Sequence, residues 1–258
     1  MERIYVVTGA ASGIGAATAQ YLREHGGRVI GVDLHNTEVI ADLSDNTGRA
    51  KLVEDVKRLS GGRVDGVVAN AGGGRPETML SLNFFGAVAT LEGLRPLLEK
   101  SPAPRAVMVS SIASLSPVDQ EIVDACLNMD EAGANALGRK AVETGKNALD
   151  FYAIAKFALN TWCRRVAGSV QWAGAGIPIN VVAPGLIDTP AARWVLDDPV
   201  RREAMGKMIP LHGQYPGRPE KMGAILAWCV SEDNALMTGQ ILYVDAGYEC
   251  VTRGERTW

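Results

Sequence analysis

Apolar residues along this chain come in short runs separated by longer amphipathic stretches, an alternation that predicts strands and helices in turn. Ile4 to Val7, Arg28 to Val32, Val39 to Leu43, Val64 to Ala69, Ala106 to Val109, Ile179 to Ala183 and Gln240 to Asp245 read as seven strands. Ala16 to Glu24, Thr47 to Leu59, Met79 to Lys100, Phe151 to Trp172 and Pro219 to Glu232 have helical composition, and Pro96 is expected to kink the third of these. Ala106 to Val109 is apolar throughout, as a parallel strand covered on both faces has to be. The alternation predicts an α/β fold, a single doubly wound parallel sheet of seven strands with helices on both faces. No internal repeat interrupts it, so residues 1–258 are read as one Rossmann-type domain.

Three stretches depart from a plain alternation. Asp33 and Asp42 are only nine residues apart, too few for a crossover helix, so the second and third strands need a shortened link. Leu115 to Leu149 is polar and alanine-rich, and reads as one or two exposed helices inserted before the Phe151 helix. Leu186 to Pro216 mixes Trp194, Val195, Leu196, Met205, Met208 and Ile209 with charges and no strict period, which fits a lid over an apolar substrate; an ordinary surface helix pair is the other reading.

Composition narrows the partners. A net charge of −3 and a pI near 5.7 provide no basic footprint for nucleic acid or an anionic membrane. The four cysteines, Cys126, Cys163, Cys229 and Cys250, have neither CxxC nor metal spacing, so they are expected to be reduced thiols in a cytoplasmic protein that holds no metal. The first apolar run is too short for a signal peptide or a membrane span.

The first strand runs into Thr8-Gly9-Ala10-Ala11-Ser12-Gly13-Ile14-Gly15 and then a helix. Small residues let the backbone approach a pyrophosphate, and the unpaired N–H groups of the helix N-terminus attract it. Gly9, Ala11, Ser12, Gly13, Ile14 and Gly15 are therefore candidate dinucleotide contacts. Asp33 ends the second strand eighteen residues after Gly15, where a carboxylate accepts from both ribose hydroxyls and repels a 2′-phosphate. No arginine follows at Leu34, His35 or Asn36, which favours NAD over NADP. Asp42 is placed to accept from an adenine amino group beside Leu43, with a helix cap near Ser44 as the competing reading. Asn70, Ala71 and Gly72 end the fourth strand with small residues beside the expected switch point.

Tyr152 and Lys156 stand four apart on a predicted helix, so both lie on one face. A phenol has a pKa of about 10, and a base working near neutrality needs a shift of roughly three units, about 4 kcal/mol of preference for phenolate, which a nearby ammonium favours. Ser111 closes the fifth strand and faces the crevice where ligands bind in such sheets; capping the next helix is the alternative.

The set Thr8-Gly9-x-x-x-Gly13-x-Gly15, Asn70-Ala71-Gly72, Asn83, Ser111, Tyr152-x-x-x-Lys156, Pro184-Gly185 and Gly239-Gln240…Val244-Asp245…Gly247 closely resembles the short-chain dehydrogenase/reductase family from end to end. The resemblance implies a catalytic tetrad of Asn83, Ser111, Tyr152 and Lys156. Tyr152 is then the acid/base and Ser111 holds the substrate oxygen. Lys156 binds the nicotinamide ribose and lowers the phenol pKa, and Asn83 anchors a relay water. It also implies that Pro184, Gly185, Ile187 and Thr189 line the nicotinamide side. The chain departs from the common pattern in its short early crossovers, with thirteen positions from Asn70 to Asn83, and in its forty-one positions from Ser111 to Tyr152. In both it resembles the subgroup of bacterial 3α-hydroxysteroid dehydrogenase/carbonyl reductases. It also resembles proteins called coniferyl-alcohol dehydrogenases, which would act on an aryl or other small alcohol. The expected activity is NAD-dependent interconversion of a secondary alcohol and a ketone on a small hydrophobic substrate. An insertion between the Asn83 and Tyr152 helices should obstruct the family's usual tetramer contact, which points to a homodimer. A non-catalytic NAD-binding protein is the contrasting expectation, one that an incomplete tetrad would have favoured.

Overall fold

The computed structural model describes residues 2–143, 145–211 and 213–256; positions 144 and 212, inside the expected insertion and lid, lie outside them. Seven strands form one sheet, parallel throughout, in the order β3-β2-β1-β4-β5-β6-β7. They are β1 Ile4–Thr8, β2 Arg28–Asp33, β3 Val39–Ile40, β4 Gly66–Ala69, β5 Arg105–Val109, β6 Ile179–Pro184 and β7 Ile241–Val244. The order reverses between β1 and β4, so the carboxyl ends of those two strands open the crevice in which doubly wound sheets bind ligands. All five residues of β1 and of β5 are buried, because helices cover both faces.

Helices α1 Gly13–Glu24 and α9 Pro219–Cys229 pack together on one face, around Val7, Val68, Val107 and Met222. On the other lie α2 Asn46–Leu59, α3 Ala87–Leu98 and α6 Ala148–Val166, around Leu52, Phe84, Leu91, Met108 and Leu159. Helix α6 starts at a capping box in which Asn147 and Asp150 satisfy each other's backbone N–H groups. It is offset from the expected Phe151 to Trp172 span, opening three residues earlier and stopping at Val166 before Gly168.

The segment predicted as one helix from Met79 to Lys100 is two structures. Ser81–Gly86 is π-helical, and α-helical geometry begins only at Ala87, then continues through Pro96 to Leu98. The disruption falls at Asn83 rather than at the proline. The inserted stretch forms α4 Gln120–Leu127 and α5 Glu131–Glu143. Contrary to the expectation of exposed helices, Ile122, Val123 and Cys126 are buried in the core, and α4 packs on α6. The expected lid contains two short helices, α7 Arg193–Leu196 and α8 Pro199–Lys207, the second with no buried residue. Val195, Leu196 and Ile209 are buried and tie its ends down, while Trp194 and Met208 stay exposed. Helix α10 Tyr248–Arg253 follows the last strand. Among the described residues no helix is long and apolar enough to cross a membrane, and no three His, Cys, Asp or Glu side chains group as a metal site.

Candidate active site

The crevice floor is assembled from β1 and β4. Thr8 Oγ1 accepts the backbone N–H groups of Asn70 and Ala71, both at 2.9 Å, and Asn70 Nδ2 donates to Thr8 O at 3.0 Å. One hydroxyl so placed locks the tips of two neighbouring strands together. A side chain at Gly15 has no room: its Cβ would sit 2.0 Å from Gly9 O and 2.6 Å from Asn70 Nδ2. Gly9 has φ +70° and an equally crowded Cβ position, 2.7 Å from Asn70 Nδ2. Gly9, Gly15, Asn70 and Ala71 thus meet as the motif predicts.

Helix α1 begins just beyond, with Ser12 as its N-cap and its hydroxyl making no capping bond. The first N–H groups of a helix have no acceptor within it, so Gly13, Ile14 and Gly15 present donors at the positive end of the dipole. Across the crevice Thr189 closes on this turn: a Cβ at Gly13 would meet Thr189 Cγ2 at 3.1 Å. Pro184 and Gly185 end β6, with the Gly185 N–H on Val244 O, and Ile187 pairs with Gly217 in an isolated bridge. Of these four, Thr189 is the one that meets the glycine turn.

Asp33 ends β2, and its Oδ2 accepts the Ala11 N–H at 2.9 Å while Oδ1 accepts that of Leu34 at 2.7 Å. A carboxylate carries about four acceptor positions, so it retains capacity for ribose hydroxyls. Asp42 is exposed and its Oδ1 takes the Ser44 N–H at 2.9 Å in a local turn; the α2 cap itself is Asp45, so the capping reading of Asp42 falls, and its carboxylate, like that of Asp33, keeps acceptor positions. The side chain of Leu43 is in the core and its carbonyl accepts from Arg49 Nε, so it offers a ligand little besides backbone.

The fit for a dinucleotide rests on these features together. A crowded glycine turn that only backbone can line leads into a helix N-terminus, and the adjacent strand ends in a carboxylate. The residues that would hold the group are Gly9, Gly13, Ile14 and Gly15 at the pyrophosphate and Asp33 at the adenosine ribose.

β5 and α6 are stitched together at the residues expected to carry the chemistry. Lys156 Nζ donates to Val109 O at 2.9 Å, and Ser110 Oγ donates to Lys156 O at 3.2 Å. Ser111 caps a 3-10 turn over Ile112–Leu115, its Oγ accepting the Ala113 N–H at 3.1 Å. That bond uses an oxygen lone pair and leaves the hydroxyl proton to donate. Of the two readings of Ser111, the cap is observed, and it leaves the hydroxyl proton free. Lys156 Nζ stands 5.3 Å from the Tyr152 ring centroid.

Burial pushes the Tyr152 phenol up, opposed by its bond with Ser111, and burial pulls the Lys156 ammonium down to about 8. Desolvation is the largest influence on both groups: Lys156 is buried, and Tyr152 is half-buried against the core.

Asn83 is fully buried in the π-helical turn. Its Nδ2 donates to Gly73 O at 2.8 Å and Met79 O at 2.9 Å, and its Oδ1 accepts the Gly73 N–H at 3.1 Å. The second lone pair of Oδ1 is the only position this carboxamide keeps for a relay water. A Cβ at Gly72 would lie 2.8 Å from Asn83 Oδ1 and 3.5 Å from Lys156 Nζ, which brings Asn83 alongside the lysine.

Sequence reasoning missed Arg49. Its guanidinium is buried and bonds Leu43 O at 2.9 Å and Ser81 O at 2.7 Å, and pairs with both oxygens of Glu131 at 2.5 and 2.8 Å. Burial raises the Glu131 carboxyl, but its bonds with Arg49 and Ser81 outweigh that and hold it below the usual range. No spacing rule reveals such a bridge, since Arg49, Ser81 and Glu131 belong to three separate elements. Tyr243, whose hydroxyl lies 3.3 Å from Ser114 Oγ just past Ser111, was likewise missed.

Comparison with known proteins agrees with this geometry. The short chain dehydrogenase family model matches residues 3–124, and a model described as enoyl-(acyl carrier protein) reductase matches residues 121–249. The chain is 35% identical to the 3-alpha-hydroxysteroid dehydrogenase/carbonyl reductase of Comamonas testosteroni, over 97% of this chain and 98% of that one. A crystal structure of the 3-alpha-hydroxysteroid dehydrogenase from Pseudomonas sp. B-0831 complexed with NADH has a TM-score of 0.88 at 34% identity, covering 98% of this chain and 99% of that one. The Pseudomonas aeruginosa RhlG/NADP active-site complex has a TM-score of 0.74 at 28% identity, covering 95% and 96%. This chain is an NAD(P)-dependent oxidoreductase and belongs to the short-chain dehydrogenase/reductase family.

Proposed function

We propose that this enzyme uses NAD to interconvert a secondary alcohol and a ketone on a hydrophobic substrate, of which a 3α-hydroxysteroid or a related carbonyl compound is the first choice. The observation that carries the reading is Lys156, anchored on Val109 O at the end of the strand that leads to Ser111, with its Nζ 5.3 Å from the Tyr152 ring centroid. Bound nicotinamide supplies the hydride acceptor or donor. Tyr152 takes the alcohol proton during oxidation and returns it during reduction, while Ser111 donates its free hydroxyl proton to the substrate oxygen. Lys156 holds the ribose and shares the proton inventory of the pair. Asn83, its N–H groups committed to Gly73 and Met79, positions the loop over the crevice and keeps one lone pair for a relay water. The preference for NAD rests on Asp33, whose charge opposes a 2′-phosphate. The steroid reading is supported by the Comamonas relative and by exposed Trp194 and Met208 on the lid. A cytoplasmic homodimer completes the proposal.

The test is an NADH absorbance assay with NAD and a panel of hydroxysteroids, aryl alcohols and cyclic alcohols at mildly alkaline pH. Turnover with 3α-hydroxysteroids supports the reading. Turnover confined to aryl or small cyclic alcohols overturns the substrate, and silence throughout with demonstrated NAD binding overturns the chemistry. Tyr152→Phe should lower kcat by about 10²- to 10⁴-fold while leaving NADH affinity within about threefold.

A further inference from the structure

Between the last turn of α1 and the β2–β3 link lies an open hollow of about 570 Å³ lined by Ala10, Arg23, Asn36, Thr37 and Glu38. It adjoins the carboxylate proposed for the adenosine ribose. Gly31 stands two residues before Asp33, and a Cβ there would meet Glu38 Oε2 at 2.9 Å, Ala10 Cβ at 3.0 Å and Thr37 Cγ2 at 3.3 Å. Ala10 in turn precedes Ala11, whose N–H is bonded to Asp33.

Arg23 is the one cation among the lining residues, and it is already engaged. Its Nη2 lies 2.9 Å from Glu38 Oε1, while Glu38 Oε2 accepts the Gly31 N–H at 2.8 Å. Glu38 is thus fixed to the backbone of β2, and it fixes the arginine in turn. Both side chains remain about half exposed, at 48% and 44%, so the pair contributes little to stability and can be broken without unfolding the chain. A guanidinium is also the side chain best matched to a phosphate.

We infer that Glu38 is a second determinant of dinucleotide choice. By pairing with Arg23 it masks a latent site for a phosphate on the ribose 2′ oxygen, and it adds a negative charge near the one that Asp33 supplies. Asp33 alone was legible as the selector; here rejection of the 2′-phosphate is divided between two carboxylates, one of which acts by occupying the arginine. This rests on the NAD preference proposed above.

Dissociation constants of NADH and NADPH, measured by calorimetry on wild type, Asp33→Asn, Glu38→Gln and Glu38→Gln/Arg23→Ala, test it. Glutamine preserves an acceptor for Gly31 while removing the charge. Glu38→Gln should bind NADPH about three- to tenfold tighter and NADH within about twofold of wild type, and adding Arg23→Ala should erase the gain. Unchanged NADPH affinity in Glu38→Gln, or a gain that survives Arg23→Ala, overturns the role of Glu38 while a wild type that selects NADH keeps the NAD reading intact. A wild type that binds NADPH as tightly as NADH, or an Asp33→Asn variant that gains nothing for NADPH, overturns the NAD reading and this inference with it.

Discussion

The two stretches that a plain alternation of strand and helix does not require are attached to the molecule in opposite ways. The inserted pair α4 and α5 buries Ile122, Val123 and Cys126, sends Glu131 to the buried Arg49, and bonds Asn135 to Ser81. The lid helix α8 buries nothing, and its charges pair among themselves, Arg201 with Asp198 and Lys207 with Glu203. The insertion is therefore framework. It reaches through Ser81 the π-helical turn that carries Asn83, and through α6 the helix of Tyr152 and Lys156. Helix α8, in the stretch expected to be a lid, is held by short-range pairs of its own, while Val195, Leu196 and Ile209 on either side of it are buried. Rigidity in such a site is built where chemistry is set, and looseness where substrates enter.

The contrast can be broken most decisively at Glu131. Glu131→Ala leaves the Arg49 charge buried without its partner and should cost about 3 to 5 kcal/mol in urea unfolding; a loss below about 1 kcal/mol would make the insertion a mere appendage. Ile122→Ala opens a cavity in the same place, and should lower stability by about 2 to 4 kcal/mol in the same measurement.

At the site between the two regions, Lys156→Met removes a buried ammonium whose fall from 10.5 to about 8 corresponds to about 3 kcal/mol. Below pH 8 both the folded and unfolded chains hold that proton, and the cost of burying it is fully present. As pH rises the folded chain releases it first, so the cost fades between 8 and 10.5. The variant should accordingly be more stable than wild type by about 2 to 3 kcal/mol at pH 7, with the gap closing as pH approaches 10. Alcohol oxidation by wild type should rise with pH, because burial holds the Tyr152 phenol above its usual range and favours its protonated form. The smallest effect belongs to the lid. Arg201→Ala removes a cation 5.3 Å over the Trp194 ring, and should change stability by less than about 1 kcal/mol while raising KM for a bulky substrate more than it lowers kcat. An equal loss in kcat would move the lid into the framework class.

Much of this was legible from sequence wherever a local rule applied. The strands announce themselves as short apolar runs, the glycine turn as residues that admit backbone and nothing else, and Tyr152 with Lys156 as one helical turn. Relations across the fold were not legible. The π-helical stretch at Ser81–Gly86 has the composition of an ordinary helix, and what distinguishes it is the loop that Asn83 clasps from Gly73 to Met79. Helix α4 looks exposed because acids flank Ile122 and Val123, and only its neighbour α6 makes them core. The helix cap expected near Ser44 belongs to Asp45 instead of Asp42, a choice made by where the chain turns into α2. The sense of the Tyr152 perturbation depends on how dry the seam beside β5 is, a property of packing that no spacing encodes.

The hydroxyl of Thr8 carries one last implication. Because it takes two amide hydrogens from the far side of the switch point, the hydrogens of Asn70 and Ala71 can meet deuterium only when the centre of the sheet parts. These loop amides should then trade isotopes on the timescale of global opening. A nucleotide bound there, as proposed, would meet a floor that these bonds already hold in place.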